Sequence, residues 1–186
     1  MVPLVALWLP VVLSAIVVFL VSGFLHTALA WHNKEYRKLP NEDEALAAIG
    51  RDAPAPGMYM LPYVMGQAEY RKPETQRRFA EGPVGILFLR QPGPITMGPL
   101  LAKWFLTALV ISLLAGYVGS AALPRGTEYL RVFRVVGTAA ILGYAGAHAQ
   151  NAIWRSEPRR VALKDTLDGV IYGLLTAGVF GWLWPR

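Results

Sequence analysis

From Pro3 to Trp31 the chain contains no Asp, Glu, Lys or Arg. A run of that length exceeds the roughly 20 apolar residues that cross the hydrocarbon core of a bilayer. Its backbone must therefore be satisfied internally, as a helix, whether lipid or protein surrounds it. Three more apolar runs follow, at about 99–123, 135–154 and 166–184. With 54% of the 186 residues hydrophobic and only 16% charged, against about 25% charged in an ordinary soluble domain, the surrounding medium reads as lipid.

The expected architecture is an all-α integral membrane protein. Four transmembrane helices, spans about 4–31, 99–123, 135–154 and 166–184, form one membrane domain over residues 1–186, a four-helix bundle. A small folded α(+β) insertion, cytoplasmic or interfacial, occupies 32–98 between helices 1 and 2. Pro124-Arg125-Gly126 and Glu157-Pro158-Arg159-Arg160 break the chain between the later spans. A secretory signal peptide is the competing reading of the first run, because Ala28-Leu29-Ala30 resembles a cleavage site. The run is longer than a signal core, however, and no basic residue precedes it.

Lys and Arg accumulate in cytoplasmic loops. With four spans, fourteen of the 18 basic residues fall on the side of the long first loop, and only Arg125, Arg131, Arg134 and Arg186 fall opposite. This puts both termini outside, in what reads as a bacterial inner (cytoplasmic) membrane. The weight rests on residues flanking the spans, Lys34, Arg37, Lys38 and Arg155 to Lys164, because the rule weakens in long loops. Indole prefers the headgroup level, and the six tryptophans sort into two belts, Trp31, Trp104 and Trp154 on the basic side and Trp8, Trp182 and Trp184 on the other.

Gly169, Gly173, Ala177 and Gly181 recur at every fourth position of the last run. A glycine costs a helix about 1 kcal/mol relative to alanine in water. In lipid, close backbone approach between small residues becomes a main source of association energy, so this stripe reads as a helix-packing ridge of the glycine-zipper kind. Weaker ridges are Ala139-Gly143-Ala147 and Ser112-Gly116-Ser120. Packing within one bundle is the first use of such ridges, and packing between copies the second.

In the insertion, Asn41 is placed to cap a helix running through Ile49, with Glu44 returning a bond and Gly50 stopping it. A second helix is expected from Pro73 to Ala80, leaving at Gly82. The apolar segments Met58–Tyr63 and Val84–Leu89 either pair as a small sheet or lie against headgroups. Basic residues here interleave with acidic ones, which argues against nucleic acid as a partner. The net charge of +6 fits contact with anionic lipids on the basic side.

Polar residues at membrane depth are expensive and are the candidates for function. They are His26, His148, Gln150, Asn151 and Asp168, of which His26, His148, Asn151 and Asp168 form the candidate polar cluster. The plainer account has Asp165 capping the last helix, Asp168 in its first turn, and His148 and Asn151 bridging helices. His26 and His32, six apart, fall on different sides of a continuous helix, so no metal site is expected, and no cofactor. No cysteine is present, which removes thiolate and disulfide chemistry. Phosphate loops, His-Glu-x-x-His, Gly-x-Ser-x-Gly and paired intramembrane carboxylates are missing.

Catalytic residues are thus unknown, and the sequence favours a non-enzymatic accessory or structural membrane component, packing against itself or a membrane partner. The alternatives are an oligomeric transporter or channel with a polar site on helices 3 and 4, and a lipid-binding or lipid-modifying enzyme using His32, Tyr36 or Glu35 at the headgroup level.

Overall fold

Proline, glycine and charge set where the helices begin and end in the computed structural model, which describes residues 1–29, 31–33 and 35–186. Two positions used above, Lys34 of the charge count and Ala30 of the cleavage-like tripeptide, lie outside the described residues. The chain divides into two compact units. The first comprises Met1–Glu35, Thr96–Ala152 and Glu157–Arg186; the second comprises Tyr36–Ile95 and Ile153–Ser156.

The first unit is a helical bundle. A 3-10 turn, Leu4–Leu7, leads into α1, Trp8–Thr27. After α2 (Glu42–Gly50), β1 (Gly57–Leu61), α3 (Gln67–Tyr70), α4 (Pro73–Glu81) and β2 (Gly85–Leu89) of the second unit come α5, Met97–Ala122, and α6, Tyr129–Ala145. The chain continues through α7, His148–Trp154, to α8, Arg159–Trp182. Among the described residues three helical stretches are long and apolar enough to cross a membrane, Leu4–Thr27, Met97–Ala122 and Tyr129–Trp154. Only 33% of each is buried within the chain. Side chains such as Leu20, Phe24, Leu106, Leu114 and Leu142 point outward, an apolar surface that suggests bilayer contact.

The third stretch is not one uninterrupted helix, because residues 146 and 147 form a turn between α6 and α7. α8 is a different case. It has 24 residues, but Arg159, Arg160, Lys164, Asp165 and Asp168 fall in its first ten. Pro158 precedes it as the N-cap residue, so the helix starts well before Asp165. Asp165 therefore caps nothing, and Asp168 lies beyond the first turn, contrary to the capping account.

α6 and α8 form the most extensive helix pair, and small residues line their seam. A Cβ placed on Gly169 would fall 2.9 Å from the Cα of Ala145, one on Gly173 2.8 Å from the backbone nitrogen of Ile141, and one on Gly181 2.7 Å from the Tyr129 ring. From the facing helix, a Cβ on Gly137 would sit 2.8 Å from that of Ala177. No side chain fits at those separations, so glycine is what allows this approach. Gly116 meets the Phe180 ring in the same way, and Gly143 meets Ile111.

Phe180, Leu7, Leu123, Val136 and Trp184 close one end of the bundle, each 7% exposed or less. Trp184 Nε1 donates to the Pro124 carbonyl at 2.9 Å. Trp104 Nε1 donates to Ser22 Oγ at 2.7 Å. Two of the six belt tryptophans thus spend their N–H inside the bundle, which the belt assignment does not anticipate: the donor found an internal acceptor.

The second unit is held by a two-stranded antiparallel sheet, β1 (Gly57–Leu61) with β2 (Gly85–Leu89), in register from Gly57 opposite Leu89 to Leu61 opposite Gly85. Of the two readings of these segments, the small sheet is what forms. Between the strands lie α3, Gln67–Tyr70, and α4, Pro73–Glu81. Gly82 ends α4 at φ +67°, a value that favours glycine. α2, Glu42–Gly50, starts after Asn41, but the Asn41 side chain makes no capping bond, a departure from the capping-box expectation. Met58, Met60 and Phe88 remain exposed on the sheet.

Candidate functional site

At the end of the bundle away from Phe180, the last turn of α1, the residues just after it and the first three turns of α8 bring together six ionisable side chains, His26, His32, Glu35, Lys164, Asp165 and Asp168, and α7 adds His148. α1 stops at Thr27, and residues 28, 29 and 31–33 are turn and bend. The chain is thereby released from helical phase, and His32 stacks on His26 with ring centroids 4.4 Å apart and planes within 5°. The expectation that these histidines face apart fails for this reason: it extended the helix past its end.

Both nitrogens of His32 face carboxylates, Nδ1 at 2.7 Å from Glu35 Oε1 and Nε2 at 2.8 Å from Asp168 Oδ2. Carboxylates only accept, so both ring nitrogens donate and the ring is an imidazolium. Burial works against this charge, but the hydrogen bonds to Asp168 and Glu35 and the attraction of both carboxylates outweigh it. The His32 pKa is held above its ordinary value of 6.5.

His26 Nδ1 lies 2.9 Å from the Ser22 carbonyl oxygen, to which it can only donate. That fixes the tautomer of a neutral ring and leaves Nε2 directed toward Asp168 Oδ2 at 4.0 Å. Lys164 Nζ lies 3.1 Å from Glu35 Oε1 and 5.6 Å from the Trp31 ring centroid. Asp165 stands 4.0 Å from His32 Nδ1 and 3.9 Å from His148 Nδ1, both beyond hydrogen-bond reach.

A cleft of about 560 Å³ opens beside this cluster. Its walls are apolar, from Met97, Leu100, Leu101 and Ile111. Its floor carries His26, His148, Asp165, Asp168, Tyr144 and Tyr172. Trp104, Tyr144 and Tyr172 pack edge to face or tilted, with centroids 5.7 to 6.3 Å apart. Among the described residues, two buried polar atoms of this lining have no hydrogen-bond partner, the Tyr172 hydroxyl and His148 Nδ1.

Of the four candidate polar residues, the structure brings His26 and Asp168 together directly, and His148 to the same cleft through Asp165. Asn151 is not among the cleft residues. Sequence reasoning named His32 and Glu35 only as headgroup-level residues of the lipid-enzyme alternative, not as the centre of the polar cluster, and gave Asp165 a capping role. The available signal was local: a His-x-x-Glu just past the end of an apolar run, in a chain with only three histidines. Comparison with protein-family models, curated proteins and solved structures finds no match for the chain.

Proposed function

We propose that this chain is a four-span protein of a bacterial inner membrane, both termini outside, that binds a lipid in the cleft between α1, α5, α6 and α8. The observation that carries the reading is a cleft with apolar walls in which two lining residues, Tyr172 and His148, each hold a buried polar atom, the hydroxyl and Nδ1, without a hydrogen-bond partner among the described residues. A bundle built for packing alone satisfies its buried polar atoms, since each one left open costs about 1–3 kcal/mol. Both atoms are covered by their neighbours, so a lipid headgroup with hydrogen-bonding capacity supplies the missing partners once these side chains turn toward it, and its chains match walls of Met97, Leu100, Leu101 and Ile111. A volume of about 560 Å³ is ample for a headgroup and the first part of its chains.

Taking α8 as the fourth span is supported by its small-residue seam with α6, which runs from Gly169 to Gly181 of α8 along the length of α6. Its charged start then lies at the basic face, with the His32 cluster at the membrane boundary. The glycine ridge of Gly169, Gly173, Ala177 and Gly181 serves packing within the chain in this reading. Homo-oligomer formation and a protein partner, which also suit such ridges, are not required by it.

The test is native mass spectrometry of the protein released from mild detergent. The wild type is expected to carry a mass adduct of one lipid, and Thr107→Trp, which fills the cleft from its α5 wall, is expected to lose it. An adduct of equal occupancy in both proteins, or none in either, contradicts the proposal.

A further inference from the structure

We infer that His26, His32 and Asp168 form a binding site for a first-row divalent transition-metal ion, of which Zn²⁺ is the representative. The three ligand atoms lie within 4.8 Å of one another. Donors on one tetrahedral Zn²⁺, each about 2.0–2.2 Å from the metal, lie about 3.3 Å apart. The Asp168 oxygen stands 2.8 Å from His32 Nε2 and 4.0 Å from His26 Nε2, so changes of about 0.5 and 0.7 Å bring these pairs to that spacing, and the two stacked rings tilt out of their parallel arrangement to point both Nε2 lone pairs at one ion.

The outer shell points the same way. A ligating histidine donates its other ring N–H to a carboxylate or a backbone carbonyl, which fixes the ring and directs the free nitrogen. His32 Nδ1 has the Glu35 carboxylate and His26 Nδ1 has the Ser22 carbonyl, leaving both Nε2 atoms turned toward Asp168. Two imidazoles with one carboxylate favour zinc, iron or cobalt over magnesium or calcium, which take oxygen donors.

A second grouping, His32, Glu35 and Asp165, is the weaker candidate because the ammonium of Lys164 already sits 3.1 Å from Glu35. Charge adds to the argument. Metal binding releases the His32 Nε2 proton to solvent; with both metal-facing imidazoles then neutral, Glu35, Asp165 and Asp168 oppose Lys164 alone, and a divalent ion brings the sum to zero. His26 and Asp168 also line the cleft, so the position left open by three protein ligands faces it. The inference concerns ring nitrogens and one carboxylate, and it stands whether or not a lipid occupies the cleft.

The test uses the full chain in detergent, with any affinity tag removed and metal stripped by EDTA. It is loaded with Zn²⁺ or Co²⁺, desalted, and read by elemental analysis and by the visible absorption of bound Co²⁺. One metal per chain is expected, with a Co²⁺ spectrum of low coordination number. His26→Ala and Asp168→Asn should each abolish stoichiometric retention, His148→Ala should preserve it, and Glu35→Gln should weaken affinity about 10–100-fold. His26 has a side chain 51% exposed, so its alanine variant keeps the test open if removal of the more buried Asp168 carboxylate prevents folding. Wild type that retains no metal, or retention unchanged in His26→Ala, overturns the inference.

Discussion

The two ends of the bundle solve the same packing problem in opposite ways. At one end Phe180, Leu7, Leu123 and Trp184 fill the interior, and the Trp184 N–H has its acceptor at Pro124. At the other, Trp104, Tyr144 and Tyr172 stand around a cleft, and a hydroxyl and a ring nitrogen lack partners. The same four helices make both ends, so the difference comes from the residues placed there. A closed end maximises contact among apolar atoms. An open end leaves buried polar atoms unsatisfied at a cost in stability, which is characteristic of binding sites.

Breaking the closed end should have the largest effect. Phe180→Ala removes a fully buried ring that also fills the space above Gly116, and a loss of about 3–5 kcal/mol is expected from the cavity left behind. Reversible unfolding in mixed micelles with a denaturing detergent checks it. Gly173→Ala should come next, at about 1–3 kcal/mol, because the added methyl meets the Ile141 backbone and the helices must separate. The same unfolding assay, with Gly23→Ala as a control at a site where a Cβ meets nothing within 4 Å, isolates the seam.

Smaller still is the hydrogen bond between Ser14 and Ser112, 3.0 Å across α1 and α5. Ser112→Ala should cost about 0.6 kcal/mol, the usual worth of such bonds in membranes. Tyr172→Phe sharpens the contrast from the open end. It deletes a hydroxyl with no hydrogen-bond partner among the described residues, so stability should stay constant or rise slightly. A marked loss of stability in Tyr172→Phe would mean that this end is packed as fully as the other.

Much of the fold was legible because the patterns of long apolar helices and of short helices bracketed by proline and glycine are local. The charge-free run after Pro3 becomes α1, the run after Pro94 becomes α5, and Pro73 with Gly82 brackets α4. The cluster was legible only in part. Asp168 and His26 stood out as costly polar residues in apolar runs, but their meeting with His32 depends on α1 ending at Thr27, which no charge or proline marks. Asp165 was misassigned because Pro158 nucleates α8 earlier than the apolar pattern begins. Trp104 and Trp184 were placed at the membrane faces by residue preference, whereas their acceptors, Ser22 and Pro124, come from distant parts of the chain.

The central claim is that the Tyr172 end is a binding cleft while the Phe180 end is closed. A photoactivatable lipid carrying a diazirine on its chain, reconstituted with the protein and mapped by peptide mass spectrometry, tests it most directly. Saturable labelling at Met97, Leu101 and Trp104, competed by unlabelled lipid and lost in Thr107→Trp, is the expected result. Labelling that never saturates and falls equally on outward residues such as Leu20, Leu114 and Leu142 would contradict it.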